Sequence, residues 1–177
     1  VYSGCQWFCI PGTEYCEQDV NSLYLLKPMK RAIDAAIRRG IDDFESFYAV
    51  FEEGLTVTAR ALRDWKNAQY ELIGSLWPEM YTSLLSHGPI ERGIDIVDNR
   101  GVDYQYTSVN ILGIPTVADS FQAVRKLVFE QRRYTLQEVK EATESNWEGR
   151  EVMRQRFLNQ DKFGNDLDEV DAVFVRI

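Results

Sequence analysis

The chain carries one histidine, three cysteines and five prolines in 177 residues, and it lacks both a basic block and a long apolar run. Each scarcity removes a class of function. Cys5, Cys9 and Cys16 stand at C-x3-C-x6-C spacing, which matches no zinc knuckle, and His87 lies far from them in sequence. No bound metal is therefore expected. An odd number of cysteines without a paired framework favours reduced thiols and a cytoplasmic location. Spanning a bilayer takes about 20 consecutive apolar residues, which no segment supplies, and no charged-then-apolar signal opens the sequence. No membrane association is expected. The 20 basic residues are interleaved with 28 acidic ones for a net charge of -8. That leaves no phosphate-tracking patch, so no nucleic-acid partner is expected.

What the chain does have is apolar bulk: 45% of it is hydrophobic, with 9 Phe, 9 Tyr and 4 Trp, enough for a core. It reads as one domain or part of one. It starts at Val1 without a methionine, and Leu167, Val170, Phe174 and Ile177 still follow helical spacing at its end. The expectation is a piece of a longer polypeptide.

Beyond the first dozen residues the pattern is mostly helical. Pro28 suits the first turn of a helix whose Met29, Ile33, Ala36 and Ile37 share a face before Gly40 ends it. Asp42 with Glu45 resembles a capping box for a second helix. Its stripe of Phe47, Phe51, Leu55, Leu62, Trp65, Leu72, Ile73 and Leu76 should pack on a core until Pro78 stops it. Gly88-Pro89 and Gly93 mark turns, with His87 an exposed loop residue. Val102, Tyr104 and Tyr106 alternate as in a strand. Gly113 and Pro115 precede a helix with Phe121, Val124, Leu127 and Val128 inward, the strand–turn–helix order of an α/β unit. Thr135 and Glu138 form a capping box, and Gly149 separates that helix from one containing Val152, Met153, Phe157 and Leu158.

The candidate chemistry sits near the start, in Gly4-Cys5-Gln6-Trp7-Phe8-Cys9-Ile10-Pro11-Gly12. Pro11 fixes φ and Gly12 admits a positive one, so Ile10 to Thr13 should turn sharply and hold the preceding loop in one geometry. Two readings stand side by side: a reactive sulfur on a held loop, or a free cysteine packed among Trp7, Phe8 and Ile10. The first Lys, Arg or His after Cys5 is Lys27. That suits a neutral thiol better than a nucleophilic thiolate, although sequence distance says nothing of spatial neighbours.

These segments resemble the glycyl radical enzymes, the group related to pyruvate formate-lyase and to the radical diol, choline and hydroxyproline lyases. Gly4, Cys5, Pro11 and Gly12 fall without a gap on that family's cysteine loop, Gly-Cys-Val-Glu-Pro followed by two residues and Pro-Gly. Ile90-Glu91-Arg92-Gly93 and Gly101 to Thr107 look like the stretch before a barrel strand. Val117-Ala118-Asp119-Ser120 with Lys126 to Glu130 resembles the helix after it, and Asn159 to Asp166 with Val170-Asp171 resembles a late loop and helix.

The resemblance implies an α/β fold class, a helix-rich portion of a closed glycyl-radical-enzyme α/β barrel. Residues 1–177 would be the central part of that barrel domain, with the C-terminal glycyl radical domain absent. It implies a thiyl radical on Cys5 and a substrate pocket lined by Gln6, Trp7 and Phe8. No cofactor would be bound by this fragment. The protein-derived glycyl radical would lie outside it, installed by a radical-SAM activating enzyme with an iron–sulfur cluster. The expected partners are that activating enzyme, a small organic substrate and a second copy in a possible homodimer. Arg39-Gly40, Arg92-Gly93 and Arg100-Gly101 do not match the Arg-Val-x-Gly-Tyr frame of the radical glycine, so the fragment alone is expected to be inactive.

Two departures narrow the chemistry. Trp7 stands where many family dehydratases, amine-lyases and decarboxylases carry a proton-handling glutamate, and an indole N–H donates but takes no proton near neutral pH. Cys5 is followed by Gln6, not by the second cysteine of pyruvate formate-lyase. What is left is a lyase or a carbon–carbon bond-forming enzyme with an aromatic pocket that could stack on a planar or apolar substrate. The alternatives are a catalytically silent barrel relative acting as a binding or interaction protein, and an unrelated α-rich interaction domain.

Overall fold

The computed structural model describes residues 2–3, 7–17, 21–98 and 100–177, and for Tyr2, Ser3, Trp7, Phe8 and Glu17 the backbone alone. Four short strands, β1 (Tyr2–Ser3), β2 (Trp7–Phe8), β3 (Glu14–Glu17) and β4 (Ser22–Tyr24), precede helices α1 (Leu26–Arg39) and α2 (Phe44–Leu76). Short helices α3 (Met80–Leu84) and α4 (Pro89–Arg92) follow, then β5 (Tyr104–Thr107) and β6 (Asn110–Leu112). Next come α5 (Ile114–Val124), a π-helical run Arg125–Glu130, α6 (Leu136–Glu144), α7 (Glu151–Leu158) and α8 (Asp168–Arg176). The chain divides into two compact units, Val1–Leu23 with Ala59–Asn110, and Tyr24–Thr58 with Ile111–Ile177.

In the first unit β3 and β5 pair in parallel, Glu14 opposite Tyr104 and Cys16 opposite Tyr106. The strand read from Tyr104 and Tyr106 is present, but Val102 precedes it. Val102 is buried with Ile96 and Val97 in a small core against which Tyr15 and Ile73 pack. β1 and β2 pair antiparallel, Tyr2 opposite Phe8 and Ser3 opposite Trp7.

The second unit is built on rings. Phe47, Tyr48 and Phe51 of α2 surround Phe121 of α5 at centroid distances of 5.6, 5.1 and 5.0 Å, and all four are at most 1% exposed. Each such edge-to-face or tilted pair adds about 0.5–1.5 kcal/mol to the gain from burial. α1 ends at Gly40 (φ 65°) as the sequence implied, with Pro28, Met29, Ala32 and Ala36 buried and Ile33 and Ile37 only partly so. Phe121, Val124, Leu127 and Val128 all face inward. Thr135 caps α6 by accepting the Glu138 N–H at 3.2 Å, while Glu138 accepts the Thr135 N–H at 2.7 Å.

Two expectations need correction. α2 is capped by Asp43, not Asp42: Asp43 Oδ1 accepts the Ser46 N–H at 2.8 Å, leaving no role for an Asp42–Glu45 box. The α2 stripe is not buried throughout: Phe47 and Phe51 are core and Ile73 packs on the small Ile96–Val97–Val102 core, but Trp65, Leu72 and Leu76 are 54%, 57% and 74% exposed. At 1.5 Å per residue this helix of 33 residues runs to about 50 Å, longer than a small core can cover. α7 forms where the sequence placed it and contains Val152, Met153, Phe157 and Leu158, of which Met153 is buried. The whole is helix-rich with small two-stranded pairings, β1–β2, β3–β5 and β4–β6, among the described residues.

Candidate functional site

The loop is read outward from its turn. Ile10 C=O accepts from Thr13 N–H at 3.2 Å and from Glu14 N–H at 3.1 Å, and the Glu14 carboxylate accepts the Ile10 N–H at 2.6 Å. Gly12 has φ +80°, a conformation that L side chains rarely adopt. The expected sharp turn is therefore present, and Pro11-Gly12 makes it. Thr13 C=O then accepts the Tyr104 N–H at 3.2 Å, joining the turn to the β3–β5 ladder.

Cys5 and Gln6 lie outside the described residues. Trp7 and Phe8 contribute backbone to β2. Ile10, expected to help bury a thiol, is 56% exposed. Its carbonyl is held by the turn and its side chain points to solvent.

Two other sulfurs are placed. They belong to Cys9 and Cys16, and Cys9 Sγ donates to Glu14 C=O at 3.1 Å. Burial, and secondarily the Glu14 carboxylate, push the Cys9 thiol above its ordinary value. Burial also raises Cys16, opposed by a hydrogen bond shared with the Tyr106 hydroxyl across the strand pair. The Tyr106 phenol is pushed up to about 12, by desolvation first and then by Cys16. All three groups stay protonated near neutral pH, so this corner offers hydrogen-bond donors rather than a thiolate nucleophile. Beside it, a cavity of about 510 Å³ is lined by Asn67, Tyr70, Glu71, Gln105, Tyr106 and Thr107.

Sequence reasoning missed what supports the turn. His87 is an exposed loop residue, as expected, yet its backbone N–H donates to Gly12 C=O at 2.6 Å. Asp95, also missed, ties α3 to the segment that follows α4. Its carboxylate accepts from Glu79 N–H, Val97 N–H and Ser83 O–H, each at 3.1 Å, while Ser83 Oγ accepts the Ile96 N–H. Such polar contacts leave no mark in hydrophobic periodicity.

Among the described residues no group of three or more His, Cys, Asp or Glu side chains could hold a metal ion, and no helix is long and apolar enough to cross a membrane. Gly40 and Gly93 close helices α1 and α4 with φ of 65° and 64°, and Gly101 is buried against the backbone of Asp95.

Residues 27–177 match the family model "Pyruvate formate lyase-like". The chain is 29% identical over 166 residues to indoleacetate decarboxylase of Tractidigestivibacter scatoligenes, covering 78% of this chain and 19% of that protein. It is 25% identical over 190 residues to (2S)-3-sulfopropanediol dehydratase of Klebsiella oxytoca, covering 97% and 22%. Its backbone superposes on the glycerol-bound B12-independent glycerol dehydratase of Clostridium butyricum with a TM-score of 0.82 at 21% identity, over 92% of this chain and 22% of that one. The chain thus spans about a fifth of the length of these relatives. It belongs to the pyruvate formate lyase-like family, the glycyl radical enzymes.

Proposed function

We propose that this chain is the central, thiyl-bearing part of a glycyl radical enzyme in which Cys5 abstracts hydrogen from a small organic substrate. The observation that carries the reading is the Gly4-Cys5 to Pro11-Gly12 frame, whose Pro-Gly half forms the turn described above, on a chain matching the family over residues 27–177. Cys5 suits the step because its S–H bond is close in strength to an activated substrate C–H bond. The sulfur radical takes a hydrogen atom from substrate carbon and regains its S–H bond. The carbon radical rearranges or cleaves and then takes that hydrogen back, so no net oxidant is consumed. The radical itself comes from a glycine outside this chain, installed by a radical-SAM activating enzyme.

Gln6, Trp7 and Phe8 form the near wall of the pocket in this proposal. Trp7 in the place of glutamate removes the local proton acceptor, which argues for a cleavage or addition that needs no base on this loop. It also argues for a substrate with a planar or apolar surface, and indoleacetate, named for one of the relatives, is such a molecule. The same departure favours a second reading, a catalytically silent relative that binds a ligand or partner.

The test is full-length protein, activated anaerobically and offered a panel of aromatic acids, diols and amino alcohols. The expected result is turnover by wild type and its loss in Cys5→Ser, with the glycyl EPR signal kept, because an O–H bond is too strong to relay the abstraction. Substantial turnover by Cys5→Ser would remove Cys5 from the mechanism. A protein that acquires no glycyl signal would support the silent relative.

A further inference from the structure

Gly12 and His87 are separated by most of the first unit in sequence and meet in space. The His87 N–H donates to Gly12 C=O at 2.6 Å, and a Cβ built on Gly12 would lie 3.2 Å from the imidazole Cδ2 and 3.6 Å from Nε2. The ring therefore covers the bare Cα of the turn. A methyl group there would have to push the ring aside.

The residues after His87 are held just as closely. Gly88 (φ +106°) donates its N–H to the Glu91 carboxylate at 2.9 Å and accepts the Arg92 N–H at 2.9 Å. The Arg92 guanidinium donates to Gly101 C=O at 3.0 Å and pairs with Asp103, the residue before β5. A Cβ on Gly88 would fall 2.3 Å from Arg92 Nη1 and 2.9 Å from Gly101 O, so the segment has no room for another residue type. β5 then returns to the turn through the Tyr104 N–H to Thr13 C=O bond. The circuit is closed: turn, His87, Gly88–Arg92, Asp103, β5, turn.

We propose that His87 is a positioning residue, the contact through which the Gly88–Arg92 clamp fixes the Pro11–Gly12 turn that closes the proposed cysteine loop. The inference rests on the reading of Cys5 given above. It assigns His87 no proton transfer and no contact with substrate. Its effect is geometric, and a shift of about 1 Å in a reacting group can cost on the order of a hundredfold in rate.

The experiment uses activated full-length protein bearing Gly12→Ala, His87→Ala or both. Amide hydrogen exchange at Thr13, Glu14 and Tyr104 reports the turn independently of activity, and kcat, KM and the glycyl EPR signal report the site. His87→Ala keeps the main-chain N–H to Gly12 C=O and removes only the ring that covers the turn; kcat should fall about tenfold with KM within about twofold, the EPR signal unchanged and the three amides exchanging faster. Gly12→Ala should be worse. Adding His87→Ala to Gly12→Ala should restore part of both protection and kcat, because the ring no longer opposes the methyl, a non-additivity expected of residues in contact. Wild-type kcat and exchange in His87→Ala, or strictly additive effects in the double variant, would overturn the clamp. Failure of the Cys5 reading is distinguishable, since Cys5→Ser would then turn over while the exchange results stood unaltered.

Discussion

At the scale of single residues, the contrast between the two placed thiols and the proposed radical sulfur is informative. Cys9 and Cys16 are held as neutral thiols by burial, one donating to a backbone carbonyl and the other bonded to Tyr106. At neutral pH both should react with iodoacetamide several-fold more slowly in the folded protein than after unfolding, because the thiolate is the reactive form. Peptide-resolved mass spectrometry would measure this. Rates equal to those of unfolded protein would mean that neither burial nor hydrogen bonding acts on these sulfurs. The Pro11–Gly12 turn was legible because proline and glycine restrict φ locally. His87 and Asp95 were not, since His87 meets Gly12 and Asp95 meets Glu79 and Ser83 only once the chain has folded, and no hydrophobic periodicity encodes those bonds.

At the scale of elements, legibility followed the reach of the signal. The Thr135–Glu138 box and the Gly40 stop are local, and both stand as the sequence indicated. The α2 cap was misplaced by one residue because adjacent aspartates, Asp42 and Asp43, offer the same chemistry, and only the bond to Ser46 separates them. The exposed Trp65, Leu72 and Leu76 of α2 show the other limit. Periodicity reports which residues share a face, but not whether anything covers that face. In the second unit the covering is explicit, because Phe121 is the ring that α2 packs around. Phe121→Ala should cost about 3–5 kcal/mol, the usual range for an aromatic removed from a tight core, read as a lowered urea midpoint. A loss below about 1 kcal/mol would mean that the surrounding rings collapse into the space, and that the cluster is less rigid than its edge-to-face geometry implies.

At the scale of the whole molecule, the resolved ionisation shifts set the pH range of stability. Glu45, Glu141, Glu151 and Glu169 are all lowered, chiefly by side-chain hydrogen bonds, Asp43 by Ser46 and Glu91 by backbone N–H groups. A group depressed in the folded state contributes stability that is present above its unfolded value, 4.5 for glutamate, and is lost as pH falls through the folded value. The opposite sense holds for Cys9, Cys16, Tyr106, Lys126 and Lys140, all raised. Their contribution is full below the unfolded values, from 9.0 for the thiols to 10.5 for the lysines, and is lost as pH rises through the folded ones. Most of these groups are solvent-exposed, so each effect alone is small. Their common sense is what gives the curve its shape. Thermal unfolding of the protein should therefore show a midpoint roughly constant between about pH 5 and 9, falling on both sides. The acid limb should weaken in high salt, which screens exposed pairs such as Arg176–Glu45. A midpoint that climbs steadily from pH 5 to pH 9 would show that repulsion or another titration dominates, and would set aside the hydrogen-bonded carboxylates as the source of acid sensitivity.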